Sequence, residues 1–470
     1  PSSGGARRVW DTMSQLAIHV VGHAAKRGLI PRQPPADRLL AEVETWLRAE
    51  YPDAVRSTRT RSAPTGEREL LVAVHPAADD IAIAAGDDGR VVVDAAVGPV
   101  GPGHQTFVAR LIQRIGIEHD IAWLPEEPGA DSSPTRTDLV LAADRPTAER
   151  AYLAWLGTGL LGARDARARG AEGIHLGTPG GVRFGFEGAV ATALGPRTDE
   201  WLERALADPR VAAEVTPWWA DALDGRSLLN RALCLMWTEV RWRPPVDATE
   251  KAVNDEVLRL LARAFPLDPS LPYPWREWRE LVGWRGSVDA MTRQVESRAA
   301  AAPAGPLVGY RRRPVEIIHE GWLLEVPGSF TERRTDDEWW GGEAGRSITL
   351  AATETGTETG PMTAAEFLQQ VAPDLGQDTL SHEAGDVIGR ARLSTDASSG
   401  VEVGVLEGYS AVTGHGAAIR VVFDDSSDWR WAMDMWRALA PARDTSFSHA
   451  GAGIATRGRP RTAGDSTRIG

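Results

Sequence analysis

The chain has 470 residues, 42% apolar and 25% charged, a composition that folds and a length that suggests about three domains. Its formal net charge of −13 argues against a nucleic-acid backbone as the main partner, and the densest basic run, "YRRRP" at 310–314, does not offset it. Apolar runs fall short of the ~18 residues that a membrane-spanning helix needs, so none is expected.

Lysine occurs only at Lys26 and Lys251, and arginine supplies the other 50 basic residues. That bias fits a GC-rich genome of the actinobacterial kind better than selection of each guanidinium. Cys234 stands alone among leucines in "ALCLMW", which rules out an intrachain disulfide and predicts a buried, inert thiol.

Residues 1–35 contain "ARRVWDTMSQLAIHVVGHAAKRGL". Val9, Met13, Leu16, Val20 and Ala24 recur at helical spacing, which predicts an amphipathic helix closed by the Pro-rich break "IPRQPPAD". Asp11, His19 and His23 interrupt the apolar part and argue against an export signal, so the expected location is cytoplasmic.

Residues 36–127 read as an α+β domain: the helix "RLLAEVETWLRAEYP", the strands "ELLVAVHP", "DIAIAAG" and "RVVVDAAV", then the helix "HQTFVARLIQRIGI". "GDDGR" is the hairpin turn between the last two strands, and "LPEEPGADSSPT" is a linker. Residues 137–300 form a second α+β unit with a helical extension. It runs through the strand "DLVLAAD", the helix "ERAYLAWLGTGLLGARDARARG" and the strands "GIHL" and "VRFGFEGAVATAL". Its ending "LGPRTDEWLERAL" suggests a degenerate copy of the first unit. From 209 to 300 the pattern is helical, with Asp247 and Glu250 at capping-box spacing.

Residues 311–443 alternate strands with the helix "TAAEFLQQVAPDL", capped by Thr363 and Glu366. They close on "DWRWAMDMWRAL", where Trp429, Ala432, Met433, Trp436 and Leu439 share one helical face. Residues 444–470 are polar and read as a disordered tail. The fold class expected is therefore α+β and multidomain: two small α+β units, a Trp-rich helical segment and a C-terminal α/β/α sandwich-like domain.

Chemistry is sparse. His19 and His23, four apart on a helix, could share a metal, but no glutamate or third ligand accompanies them. "GPVGPGH" sits where a phosphate loop would, yet two prolines lack the N–H and no Lys-Ser/Thr follows, so a plain turn is expected. The pairs Asp79-Asp80, Asp87-Asp88, Asp336-Asp337 and Asp424-Asp425 read as turn residues rather than acid/base dyads. Ser410 and His415 lie around a hairpin. No catalytic residue, cofactor or metal ligand is expected.

Tryptophan is the exception: 18 are present, against 13 Phe and Tyr together. "WTEVRWRPP", "PWREWREL" and "DEWWGG" set Trp beside Arg or beside a turn. The candidate partner-binding residues are Arg241, Trp242, Trp275, Trp278, Trp339 and Trp340. Trp237 is expected in the core. Trp242 is expected half-exposed beneath a guanidinium. The Trp339-Trp340 pair is expected at an exposed hairpin end.

The α–β-meander–α order of the first unit, closed by "GPGHQTFVARLIQRIGIEHDIAW", resembles the YbjN-like and type III secretion chaperone-like fold. The last unit, with "GWLLEVPGSFTER" entering a sheet and a Trp-rich final helix, resembles the Mog1/PsbP-like fold. These resemblances imply modules that bind peptide segments or serve assembly, without catalytic residues. The function expected is a non-enzymatic, chaperone-like adaptor that binds a protein or peptide. An immunity or inhibitor protein, and an enzyme with an inter-domain site, are the alternatives.

Overall fold

Period-two burial, set by alternating apolar residues, organises both ends of the chain. The computed structural model describes residues 16–26, 33–62, 68–124, 144–169, 174–178, 182–184, 189–286, 289–335, 337–357, 360–373, 379–397 and 402–442. The linker "LPEEPGADSSPT", nearly all of "DLVLAAD" and the expected tail lie outside them.

The first six strands are β1 (Ala17–Ala24), β2 (Ser57–Ser62), β3 (Arg68–Ala73), β4 (Ile81–Ala85), β5 (Arg90–Ala96) and β6 (Ile121–Trp123). They form one antiparallel sheet in the order β2-β3-β4-β5-β1-β6. The helices α1 (Ala36–Glu50) and α2 (Pro102–Glu118) bury Leu39, Val43, Leu47, Leu111, Ile112 and Ile115 in its core.

Over Ala17–Ala24, β1 corrects the expected N-terminal amphipathic helix, whose Val9 and Met13 lie outside the described residues: Ile18, Val20 and Ala24 are buried in alternation on a strand between β5 and β6. A four-residue spacing satisfies both a helical turn and two strand repeats. The β-branched run Ile18, Val20, Val21 decides for the strand. Gly22 permits the close pairing, because a Cβ there would lie 2.6 Å from the Trp123 ring.

The second unit holds α3 (Arg145–Ala168), β7 (Ile174–Leu176), β8 (Val182–Phe184), β9 (Ala189–Thr192), β10 (Gly195–Thr198) and α4 (Asp199–Ala207). β7 runs parallel to β9, and β10 returns antiparallel to it. Gly195-Pro196 therefore lies inside a hairpin, not at a strand-to-helix break, and the suggested copy of the first unit is not carried by this ending.

Four helices follow: α5 (Gly225–Thr238), α6 (Ala248–Leu267), α7 (Trp275–Arg285) and α8 (Ala290–Ala301). Asp224, Asp247 and Asp289 cap three of them, each accepting the backbone N–H three residues on at 2.7–2.9 Å. Their core is Leu229, Leu235, Val257, Leu261, Trp278 and neighbours.

The last unit contains β11 (Val315–His319), β12 (Trp322–Val326), β13 (Thr331–Arg334), β14 (Glu338–Glu343), β15 (Arg346–Glu354), β16 (Gly356–Thr357), β17 (Gly360–Pro361) and α9 (Ala364–Val371). It continues through β18 (Leu380–Ala384), β19 (Val387–Asp396), β20 (Val403–Val412), β21 (His415–Phe423), α10 (Trp429–Ala438) and β22 (Ala440–Pro441). A seven-stranded sheet runs β13-β14-β15-β21-β20-β19-β18. Phe367 of α9 lies over Gly416, and Trp436 of α10 over Gly408, whose strand partner is Ile419. Those positions alternate on the pleat, so the two helices cover opposite faces. The full Thr363–Glu366 capping box is present.

A smaller sheet, β22-β12-β11-β8, joins the units: Val182–Phe184 pairs antiparallel with Val315–Ile317 across the expected boundary near residue 300. The molecule is a multidomain α+β protein. Among the described residues no helix is long and apolar enough to cross a membrane.

Candidate functional site

The sequence places Arg241 and Trp242 just past the end of α5, where the helical unit meets the last sheet. Arg241 and Arg311 both donate to one Glu332 oxygen, at 2.9 and 2.6 Å, and Trp339 donates its indole N–H to the other at 3.2 Å. Burial would raise the Glu332 carboxyl, but the Arg311 and Arg241 guanidiniums outweigh it and hold it at about 2. Two residues after Arg241, Arg243 grips both oxygens of Glu250 at 2.7 and 2.9 Å and also reaches Thr331 and the Ser329 carbonyl. On the other side, Glu256 receives Arg56 from the first unit at 3.0 Å and Arg231 at 2.9 Å. The Trp-Arg motif is thus chiefly a set of inter-unit ion pairs facing inward.

The tryptophans follow the same logic. Trp242 is half-buried at φ +57°, donates to the Met236 carbonyl at 3.2 Å, and carries a guanidinium 3.7 Å over its ring. That guanidinium is Arg312, seventy residues on, not its sequence neighbours Arg241 or Arg243. Trp275 and Trp278 stack with ring centroids 5.3 Å apart, yet Trp278 is fully buried and only Trp275 reaches the surface.

Trp339 and Trp340 do point to opposite faces, but they lie inside β14 rather than at an exposed hairpin end. Trp339 is fully buried, while Trp340 is half-buried with Arg333 5.2 Å above it. The six residues named from sequence therefore do not form one surface: Arg241 and Trp339 meet at Glu332, and the others anchor separate packing contacts.

Groups with chemical potential are closed off. Cys234 is buried, and burial pushes its thiol far up. Ser410 is fully buried whereas His415 is exposed, so a solvent-borne substrate reaches one and not the other. His75, His104 and Trp218 form a buried triangle with ring centroids 5.7–6.5 Å apart, and burial lowers both imidazoles, His104 to about 3. The "GPVGPGH" turn is occupied by the chain itself: Gly103 donates to the Trp218 carbonyl at 3.1 Å, and a Cβ on Gly103 would strike the Ala220 carbonyl.

Of the paired aspartates, Asp88 and Asp425 serve turns, accepting the backbone N–H two residues on at 3.0 and 2.8 Å, while Asp87 accepts the Ala36 N–H at 3.2 Å and Asp80 pairs with Arg59 at 2.9 Å. Asp79 differs, since burial and Asp80 push it up to about 6. Asp336 lies outside the described residues.

His19 and His23 sit on a strand, where four residues span about 13 Å, too far to share an ion. His19 instead lies 2.6 Å from its cross-strand partner Asp94. Among the described residues no group of three or more His, Cys, Asp or Glu could hold a metal. Elemental analysis of purified protein is expected to find no stoichiometric Zn²⁺, and a metal-to-protein ratio near one would contradict this.

An open concavity lies at one end of the seven-stranded sheet. Trp429, expected on the buried face of α10, is 44% exposed and is the only described tryptophan in the exposed class. It lines a groove together with Val403 and Phe423 at the strand ends and does not belong to the core cluster that holds Ala432, Met433 and Trp436. Leu393, 38% exposed, lines the same groove, whose volume is about 670 Å³. Its floor depends on Gly404: a Cβ there would lie 2.2 Å from the Phe423 ring. Sequence reasoning assigned Trp429 to the core by periodicity. The contrary signal is its place at the first helical position, directly after "DDSSD", where a side chain has one turn fewer to rest against. No protein-family model matches the chain, and no curated protein matches it.

Proposed function

We propose that the chain is a non-enzymatic, chaperone-like cytoplasmic adaptor that takes a peptide segment of another protein into the groove beside Trp429. The observation that carries this is the contrast among tryptophans: every other described one is buried or half-buried, while Trp429 is exposed and lines an open groove with the exposed Leu393. Exposed aromatic and aliphatic anchors in a concavity are what interfaces use. The resemblance of the first unit to YbjN-like and type III secretion chaperone-like domains, and of the last to the Mog1/PsbP-like fold, supports the same reading.

A random-peptide display library panned on the immobilised full chain is expected to yield specific binders. Trp429→Ala combined with Leu393→Glu should remove them. Each substitution alone should change stability by less than about 1 kcal/mol, because neither side chain is buried. Equal recovery on wild type and double variant, or no recovery on either, would contradict the proposal.

A further inference from the structure

The groove's walls carry charge of one sign. Glu402 and Asp424 contribute carboxylates, Ser394 and Thr395 hydroxyls, and no basic side chain is among the residues that line it. Asp425 adds a further negative charge beside Asp424; hydrogen bonds from Ser427 hold its carboxyl below the usual range. Arg346 is bound by Asp428 at 2.5 Å, whereas Arg430 holds its guanidinium 5.3 Å over the Trp429 ring, so one cation stands at the groove's edge beside the carboxylates of Glu402, Asp424 and Asp425. The carboxylates outnumber that guanidinium, so an anionic ligand entering here meets a net negative rim, whereas a cation gains two partners beside an apolar floor.

The apolar part is equally defined. Trp429, Leu393 and Phe423 all line the groove, and the volume suits a few side chains rather than a folded domain. We infer that the groove receives an extended peptide segment in which apolar and basic side chains alternate, the apolar ones between Trp429 and Leu393 and the basic ones at Glu402 and Asp424. This rests on the peptide-binding reading and adds the chemistry of the partner. Alternation matters because successive residues of an extended segment face opposite ways.

Fluorescence anisotropy with two labelled hexapeptides on the full chain tests it: one alternating arginine and leucine, the other glutamate and leucine. The basic probe is expected to bind at least tenfold more tightly than the acidic one, with an affinity that falls as salt rises. In the double variant Glu402→Gln, Asp424→Asn the preference should drop below about threefold, while Trp429→Ala should weaken the basic probe with Glu402 and Asp424 intact. Equal binding of both probes, sensitive to Trp429→Ala, would overturn the charge inference and leave the groove reading standing. A preference that survives the double variant, or binding of neither probe, would also overturn it; in the last case the library selection still decides the groove reading. Probe binding that appears only after residues 443–470 are removed would assign the groove to the chain's own end. Dimerisation abolished by Trp429→Ala would assign it to a second copy. Either result would overturn the proposal.

Discussion

Replacing Glu332 with glutamine is expected to lower the unfolding free energy by about 3–5 kcal/mol, measured by denaturant titration. The carboxylate sits under two guanidiniums and an indole N–H, with 12% of its side chain exposed. Removing its charge leaves Arg241 and Arg311 facing each other in a low-dielectric junction, and Arg311 is itself buried. Burial followed by Arg311 already pulls Arg241 down to about 10, which shows how poorly the site tolerates another cation without its partner. The triple variant Arg241→Met, Arg311→Met, Glu332→Leu should cost less than Glu332→Gln, because the desolvation of all three charges is removed together. A loss under about 1 kcal/mol for Glu332→Gln would mean that the junction is hydrated and contributes little to holding the units together.

Acid is expected to destabilise the protein between pH 7 and pH 5. Burial lowers His104 and His175 to about 3 in the folded chain, against 6.5 as the ordinary value, and lowers His75 well below that ordinary value too. A lowered histidine pKa means the unfolded state binds more protons from pH 6.5 down to about 3, so stability present above 6.5 is lost as pH falls. At pH 5 the cost is about 2 kcal/mol each for His104 and His175. Asp79, raised to about 6, works in the opposite direction, as do Glu239 and Glu316, because their folded forms take up protons first. The three histidines together outweigh these carboxyls: the net loss should be about 3–5 kcal/mol, and His104→Gln should flatten the profile by roughly one proton's slope. A stability curve that rises from pH 7 to pH 5 would show that these imidazoles are protonated in the fold.

Local signals were read well from the sequence because their causes are local. The Thr363–Glu366 capping box, the Asp247 cap and the "GDDGR" hairpin each depend on a few adjacent residues. The opposite facing of Trp339 and Trp340 followed from the pleat alone, but which ring turns inward depends on Glu332 and Arg311, which no periodicity reveals. Trp242 was expected under a guanidinium, and it is, yet the arginine comes from position 312 because the last unit folds back over the end of α5.

β1 was misread for a related reason. Its neighbours in the sheet are residues 90–96 and 121–123, so pairing partners far away in the chain, such as Asp94 for His19, override a helix-compatible spacing. The groove was invisible altogether, since it is made where β19, β20, β21 and α10 all end together.

Hydrogen–deuterium exchange on the full chain, with and without a library-selected peptide, locates the occupant most directly. Slowed exchange is expected at residues 393–396, 402–405 and 424–430, with the Trp242 and Trp275 surfaces of the helical unit unchanged. Protection confined to the helical unit, with the Trp429 groove exchanging as in the free protein, would contradict the assignment of binding to this groove.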